Sequence, residues 1–292
     1  MNPYVFMTDS DSDLPFGYVD ELDLEMVYMP YIVDGKEYPD DLGRSGGQKA
    51  YFDNMRAGAQ PSTSLLPLGV YLDLFEPIFE SGQDILFVAF SSQLSGTIHN
   101  IYAAREELLE KYPERKMIVV DTLSISAPQS ILVLKAHALY REGKSMEEVA
   151  QWLEDNKLRA QAWFTVDDLK YLRRGGRISA VAATVGTMLD LKPIITETKE
   201  GKLISSDKVR GRKSALRTLV DKAIANIDDP ASAMPVIMHA DAPEDAERLK
   251  KQLLEKLPGL PEVQIWYVGP VIGAHCGPGT VALCFFGKER PC

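Results

Sequence analysis

Short hydrophobic runs alternate along the first half of the chain with segments in which apolar residues recur every three or four positions. The run at residues 85–90 is typical of a buried strand, and residues 98–112 have helical spacing, with Thr97 as the expected N-cap. The polar stretch 91–97, SSQLSGT, separates the two. This order predicts a strand, a hydroxyl-rich loop and a helix, an arrangement in which hydroxyls and helix amides can bind an anion.

The remaining pattern up to residue 160 predicts further strands that alternate with helices. Asp34 and Gly35 are typical of a hairpin turn. Residues 60–64 form a second hydroxyl-rich loop, Pro67 suits the first turn of the next helix, and Pro77 should kink or end that helix. The predicted strands are 4–7, 26–33 and 117–120, and the predicted helices are 49–56, 128–141 and 145–157. Such alternation is typical of a mostly parallel sheet with helices on both faces.

The pattern changes near residue 161. A strand at 162–166 precedes a short helix at 167–172, and a small, apolar helix is predicted at 179–189. A hairpin (193–198 with 202–207), two amphipathic helices (213–227 and 242–257) and three strands (236–239, 263–268 and 281–286) follow. We therefore predict an α/β protein of two domains. The first, residues 1–160, is mostly parallel α/β, and the second, residues 161–292, is α+β with a mixed or antiparallel sheet.

Charge and composition exclude several classes of function. The formal net charge of −10, from 42 acidic and 32 basic residues, argues against a nucleic-acid partner held through phosphates. There is no apolar run of 18 residues and no signal-like N-terminus, so we expect a cytoplasmic protein without stable membrane insertion. Cys276, Cys284 and Cys292 lack zinc-site spacing and are expected to be reduced thiols.

Two stretches have features of catalytic sites. Ser45 lies in a G-x-S-x-G match, but the residues before it contain no buried strand, which a nucleophile elbow requires. Asp9 and Asp11 follow the first strand as the aspartates of some phosphotransferases do, but no later acidic pair is found at a strand end. A hydrolase or phosphotransferase using these residues is the alternative hypothesis. Asp and Ser side chains that cap a loop and a helix start are the favoured explanation of the acidic loop.

Hydroxyl groups and one histidine are the candidates for binding. The loops at 62–64 and 91–97 are rich in Ser and Thr, which also serve as turn and cap residues. His275 stands in a stretch with three glycines, residues 273–279, that could present one imidazole. No metal cluster or cofactor fingerprint accompanies these groups, so the sequence favours binding of a carboxylate or phosphate over catalysis.

At these residues the sequence closely resembles the DegV family of bacterial fatty-acid-binding proteins, nearly from end to end. Each motif alone is weak, and their order and spacing carry the resemblance. The motifs are Thr8-Asp9-Ser10 with 12–15, Pro30, the 34–40 hairpin, Thr63-Ser64, the 91–97 loop, Asp121-Thr122, LxxGGRIS at 172–179, LKPI at 191–194 and HxGPG at 275–279.

The resemblance implies a two-domain fold that encloses one long-chain fatty acid between its domains, with no other cofactor. It implies that the carboxylate is bound by Thr63 and Ser95, with Ser64, Ser92 and the Gly96 amide in support and His275 nearby. Family members resemble the non-catalytic carrier subunit of bacterial fatty-acid kinase. A separate ATP-binding kinase subunit phosphorylates the bound acid to an acyl phosphate, which fits the absence of a P-loop here.

Two further points of the resemblance stay open. Arg177 would either face the kinase subunit or stabilise the loop around it. The chain also departs from the family pattern, because Leu65-Leu66-Pro67 stands where Gln-Pro-Ser often follows the threonine-serine pair, and residues 43–47 look like an insertion. Both departures affect the geometry expected around Thr63.

Overall fold

The computed structural model describes residues 4–177 and 190–291. Within them, a four-stranded parallel sheet, sheet A, has the order β2-β1-β6-β7. Its strands are β1 (Tyr4–Asp9), β2 (Glu25–Val27), β6 (Asp84–Ala89) and β7 (Met117–Asp121). Every residue of β6 after Asp84 is buried, which is typical of a parallel strand covered on both faces.

A small antiparallel sheet, sheet B, stands beside sheet A. It has the order β4-β3-β5, formed by β3 (Pro30–Val33), β4 (Lys36–Pro39) and β5 (Ser62–Thr63). Asp34 and Gly35 both have positive φ, 51° and 75°, so the predicted hairpin turn is confirmed. The predicted loop at 60–64 is wrong in part, because Ser62–Thr63 pairs with β3 and so fixes the position of Thr63.

The third sheet, sheet C, contains six described strands in the order β10-β9-β8-β13-β11-β12. All neighbours are antiparallel except β11 and β12, so the expected mixed sheet is confirmed. The strands are β8 (Ala160–Thr165), β9 (Leu191–Glu197), β10 (Leu203–Arg210), β11 (Val236–His239), β12 (Gln264–Tyr267) and β13 (Val281–Phe286).

Helices cover the sheets. Helix α5 contacts both β1 of sheet A and strands β8 and β13 of sheet C, which explains why most of its residues are buried. The described helices are α1 (Phe16–Leu22), α2 (Gln48–Arg56), α3 (Leu68–Glu80), α4 (Thr97–Lys111), α5 (Ala127–Arg141), α6 (Met146–Asn156), α7 (Lys170–Arg174), α8 (Arg212–Asn226), α9 (Pro243–Lys256) and α10 (Pro270–Cys276).

Two details of the helices differ from the sequence prediction. Helix α3 does not end at Pro77 but continues to Glu80. Gly96, and not Thr97, is the N-cap of α4, since Thr97 already has helical geometry. The capping box at Ser145 and Glu148 is confirmed. The helix predicted at 179–189 lies outside the described residues. No described helix has both the length and the apolar character needed to span a membrane.

The larger of two hydrophobic clusters among the described residues contains side chains from Tyr4 to Phe286. It includes Phe87 from sheet A and Ala282, Cys284 and Phe286 from one face of β13. The alternate residues of β13, Val281, Leu283 and Phe285, face a separate cluster beneath α8 and α9. Because the larger core joins sheets A and C, the domain boundary at residues 160 and 161 stays a prediction, although every strand of sheet C begins at or after Ala160.

Candidate functional site

A cavity of about 1050 Å³, including the part that opens to solvent, lies between sheet A and sheet C. Residues that follow the strands of sheet A line one side, among them Asp11, Phe90 and Ile125. The facing side is formed by small and apolar side chains of sheet C, namely Ala162 and Phe164 of β8, Met238 of β11, and Ala282 and Cys284 of β13. The cavity thus lies at the carboxyl edge of the parallel sheet, the usual place for a ligand in such folds.

Both hydroxyl-rich loops reach this cavity. Thr63, Ser64, Ser95 and Thr97 line it, together with His275. The Asn100 side chain donates a hydrogen bond of 2.8 Å to the carbonyl of Leu66, so helix α4 is joined directly to the segment after Thr63. The two hydroxyl-rich loops, residues 62–64 and 91–97, therefore meet at one polar end of a cavity whose remaining lining is mostly apolar.

His275 is the base at this polar end. Its Nε2 atom lies 3.0 Å from the hydroxyl oxygen of Thr63, and its Nδ1 atom has no hydrogen-bond partner among the described residues. Burial, with smaller effects of Arg177 and Arg174, lowers the pKa of His275 to about 4. The imidazole is therefore neutral at pH 7, with one nitrogen as donor and the other as acceptor.

Helix geometry, and not a flexible loop, holds His275. The residue belongs to the last turn of α10, so the prediction of a glycine-rich loop at 273–279 is wrong for its first half. A Cβ atom on Gly175, after α7, would lie 2.2 Å from His275 Nδ1. Gly277 ends α10 with φ of +78°, and a Cβ there would meet the Tyr171 ring at 2.2 Å. These glycines let α7 and α10 approach closely enough to fix the imidazole.

Arg177 links the two sides of the cavity. Its Nε atom donates a hydrogen bond of 3.1 Å to the carbonyl of Leu94, in the hydroxyl-rich loop, and its guanidinium also contacts the Gly175 carbonyl. Arg177 lines the cavity as well. These contacts are those expected of a residue that stabilises the loop; the alternative, a kinase-facing role, stays a prediction.

The supporting residues are placed differently from one another. Ser95 accepts a hydrogen bond of 3.2 Å from the Thr97 amide, and its hydroxyl lies 2.9 Å from that of Thr97. Ser64 donates to Glu37 at 2.9 Å. Ser92 and Gly96 do not belong to the cavity lining, and the Ser92 amide donates instead to Asp121 at 3.2 Å. Thr97, which the sequence suggested only as a cap, is an additional hydroxyl in the lining.

The alternative catalytic residues are not arranged for their chemistry. Ser45 lies exposed in a turn, where its amide donates to Asp41 at 2.9 Å, and the strand before it, β4, is exposed and ends at Pro39. Asp9 and Asp11 are buried, and burial raises the pKa of both, that of Asp9 to about 6. Residues 4–177 and 190–291 contain no group of three acidic, His or Cys side chains with metal-binding geometry. The arrangement gives no support to a metal-dependent phosphotransferase among these residues.

The other three histidines do not line the cavity. His137 is buried against Phe6 and Tyr140. His239 accepts a hydrogen bond of 3.2 Å from the Ala242 amide. His99 is exposed on α4. Cys276 and Cys284 are free, buried thiols.

Comparison with known proteins decides the family. The sequence profile of the DegV family, described as uncharacterised proteins, matches residues 5–288. The chain belongs to the DegV family. It is similar to a DegV domain-containing protein of Clostridium perfringens, with 39% identity over 290 residues and 99% of each chain covered.

Solved structures of this family share the fold. A DegV-family protein from Thermus thermophilus, described as binding fatty acid, has a TM-score of 0.87 and 29% identity, with 98% of this chain and 100% of that chain covered. A fatty-acid-binding DegV-family protein from Streptococcus agalactiae has a TM-score of 0.85 and 29% identity, with 99% and 100% covered. The family assignment and the predicted fold class are thereby confirmed.

Proposed function

We propose that this DegV-family chain binds one long-chain fatty acid, with the acyl chain in the cavity between sheets A and C and the carboxylate at its polar end. The observation that carries the proposal is the meeting of Thr63, Ser95 and His275 at one end of a cavity whose remaining walls are largely apolar. The fatty-acid binding described for the proteins of similar fold supports it.

The cavity matches the energetic needs of such a ligand. Most of its lining residues are apolar, as in typical small-molecule sites. Burying the tail of a C16 acid at about 0.8 kcal/mol per CH₂ supplies on the order of 10 kcal/mol before the costs of association and ordering. The head group then needs only orientation and partial charge compensation.

The polar end offers hydrogen-bond donors for that head group. The Thr63 and Ser95 hydroxyls can each donate to a carboxylate, and the neutral imidazole of His275 can donate from one nitrogen. Arg177 brings a positive charge to the same cavity. Ser64 is a supporting ligand in this proposal. Ser92 and the Gly96 amide, the remaining candidates from the sequence, would act through the conformation of the loop or after a small rearrangement.

We assign the chain a carrier role in the cytoplasm, without catalysis of its own. In this role it presents the bound carboxylate to the ATP-binding subunit of a fatty-acid kinase, which forms the acyl phosphate. The resemblance of the motifs to the family supports this step, as does the partial exposure of Thr63, Ser64 and Ser95 to solvent.

The binding proposal is tested by native mass spectrometry and lipid extraction of gently purified protein, followed by titration of delipidated protein with palmitic acid. We expect a co-purified C14–C18 acid and saturable uptake of one molecule per chain. Protein that is repeatedly empty and takes up no fatty acid would contradict the proposal.

The carrier role needs its own experiment. The protein loaded with palmitate is mixed with ATP and the kinase subunit, and acyl phosphate is trapped with hydroxylamine. We expect product only when both proteins are present. Product from the loaded chain and ATP alone would show that the chain is itself an enzyme.

A further inference from the structure

One buried carboxyl group in the cavity wall has no function in the site described above. Asp11 lies in the short 3-10 segment Ser10–Ser12, directly after β1. The residue is 3% exposed and lines the cavity. Both main-chain polar groups of Asp11 are hydrogen-bonded: its carbonyl accepts a hydrogen bond of 2.9 Å from the Ser126 amide, and its amide donates to Asp9. Its side-chain atom Oδ1 has no hydrogen-bond partner within residues 4–177 and 190–291.

Among the described residues, the neighbouring carboxyl groups of Asp9 and Asp13, unlike that of Asp11, accept side-chain hydrogen bonds. Asp9 accepts hydrogen bonds from the Phe90 amide at 3.1 Å and from the Gln129 side chain at 3.0 Å. Asp13 accepts from the Ser126 hydroxyl at 2.5 Å and from the Gly269 amide at 2.9 Å. Both therefore hold the turn and the loops around it together. Asp11 alone of the three lines the cavity, and its side chain holds no loop in place.

The protonation state of Asp11 follows from its surroundings. Burial raises its pKa well above the ordinary value, the nearby Asp9, Asp40 and Asp13 raise it further, and Arg177 opposes this only in part. These surroundings favour the neutral carboxylic acid over the carboxylate. Such an acid offers one O–H donor and one carbonyl acceptor.

The cavity wall contains Ser126 and Arg177 near this acid, but most of its side chains are apolar. Met29, Phe90, Pro128 and Val271 line the same cavity. Leaving a buried polar group without a partner is unfavourable, and a site that contains one discriminates strongly between ligands that do and do not supply that partner. A plain hydrocarbon tail supplies none. An alcohol supplies both an acceptor and a donor, the complement of a carboxylic acid.

We propose that Asp11 hydrogen-bonds a hydroxyl group on the acyl chain, so that the preferred ligands are hydroxylated long-chain fatty acids. The argument rests on the proposed function, since it assigns the tail of the same ligand to this cavity. The head group stays with Thr63, Ser95 and His275. Asp11 is the residue that distinguishes one acyl chain from another.

The test is a titration of delipidated, full-length protein with palmitic acid and with monohydroxy palmitic acids that carry the hydroxyl at different carbons. We expect at least one positional isomer to bind about tenfold more tightly than palmitic acid. Asp11→Leu should abolish that preference, so that the hydroxylated and the plain acid bind with similar affinity. Asp11→Asn should keep part of the preference, because an amide also donates and accepts.

A control variant and a crystal structure test whether the preference comes from Asp11 itself. Met29→Leu, in the same wall, should change the affinities for both ligands by the same factor. A crystal structure with the preferred isomer should place its hydroxyl within hydrogen-bond distance of Asp11, which tests the proposal even if Asp11→Leu fails to fold.

Three results would overturn the inference: no isomer preferred over palmitic acid, an equal loss for both ligands in Asp11→Leu, or a ligand hydroxyl bound elsewhere. In each of these cases fatty-acid binding itself would stand. Failure of the wild-type protein to bind any fatty acid would instead contradict the proposed function and the inference together.

Discussion

The Nε2 atom of His275 lies 3.0 Å from the hydroxyl oxygen of Thr63, a residue 212 positions earlier in the chain. This contact joins helix α10 to strand β5 at the polar end of the cavity. If these groups bind the carboxylate, removing two of its donors should weaken binding without unfolding the protein. We expect Thr63→Ala combined with Ser95→Ala to lower palmitate affinity by about tenfold or more, measured by isothermal titration.

A control for this double variant is available in the same loop. Ser92 does not line the cavity, so Ser92→Ala should reduce affinity far less than Ser95→Ala. The melting temperatures of all three variants should stay close to that of the wild type. Unchanged affinity in the double variant would show that the head group lies elsewhere.

The close approach of α7 and α10 gives a second prediction. Gly175 has φ of −72°, an ordinary value, so Gly175→Ala costs nothing in backbone conformation. Its new Cβ atom would nevertheless lie 2.2 Å from His275 Nδ1 and must displace the ring. We expect a loss of fatty-acid affinity comparable to that of His275→Ala, with little further loss when the two are combined.

A matched glycine separates this steric effect from a general effect of alanine. Gly17 lies in helix α1, and a Cβ atom there would meet nothing within 4 Å. Gly17→Ala should therefore leave palmitate affinity unchanged. Additive losses from Gly175→Ala and His275→Ala would mean that Gly175 acts independently of the imidazole.

Much of the fold is readable from local pattern, and the exceptions have a common physical cause. Residues 26–33 look like one extended segment, yet β2 belongs to sheet A and β3 to sheet B, with the break at Tyr28 and Met29. Likewise, Ser62–Thr63 forms a strand only because β3 lies beside it. Strand pairing depends on partners far away in the chain, which periodicity does not reveal.

The same limit applies to the candidate site. The hydroxyl-rich loops were predictable, because Ser and Thr interrupt two apolar patterns just before helices. The role of Gly175 was not, since it depends on contact with a residue 100 positions away, His275. Asp11 and Asp9 look alike in sequence. Only the structure shows that the Asp9 carboxyl group is hydrogen-bonded through both oxygens, whereas that of Asp11 lines the cavity.

The burial of the Asp40 carboxyl group leads to a prediction about how the stability of the protein depends on pH. Burial raises its pKa to about 7, and its Oδ2 atom has no hydrogen-bond partner among the described residues. Because the folded state binds this proton more tightly than the unfolded state, the stabilisation is complete below about pH 4 and is lost as the pH rises through 7. Asp40→Asn should therefore be more stable than the wild type at pH 8, by roughly 1–3 kcal/mol.

Urea unfolding at pH 8 and at pH 5 measures this effect. The advantage of Asp40→Asn should shrink as the pH falls, because the wild-type carboxyl becomes protonated. Glu25→Gln, a change at an exposed carboxyl, should show no comparable gain. An Asp40→Asn variant that is equally destabilised at both pH values would contradict the prediction.

A buried ion pair joins Arg290, which follows β13, to Glu197 at the end of β9. Arg290 lies 3.2 Å from Glu197 and also donates to the Ala160 carbonyl at 3.0 Å and the Leu123 carbonyl at 2.7 Å. Both side chains are almost completely buried, so removing one leaves the other without its charge partner. We expect Arg290→Met to destabilise the protein by about 3–5 kcal/mol in denaturant titrations.

A double-mutant cycle separates the charge from the packing. Glu197→Gln keeps an oxygen that can accept the 3.0 Å hydrogen bond from the Ile125 amide but removes the charge. Adding it to Arg290→Met should restore part of the lost stability. If the two losses simply add, the ion pair contributes little and the packing of the Arg290 side chain dominates.

The cavity lies within the core that joins sheets A and C, and this has a thermodynamic consequence for the whole molecule. A fatty acid bound there would become part of the hydrophobic interior. Each tenfold rise in free ligand above the dissociation constant would then add about 1.4 kcal/mol to the free energy of unfolding. The melting temperature of the protein would in effect report the supply of its ligand, and an unloaded chain would be the form most readily unfolded and degraded.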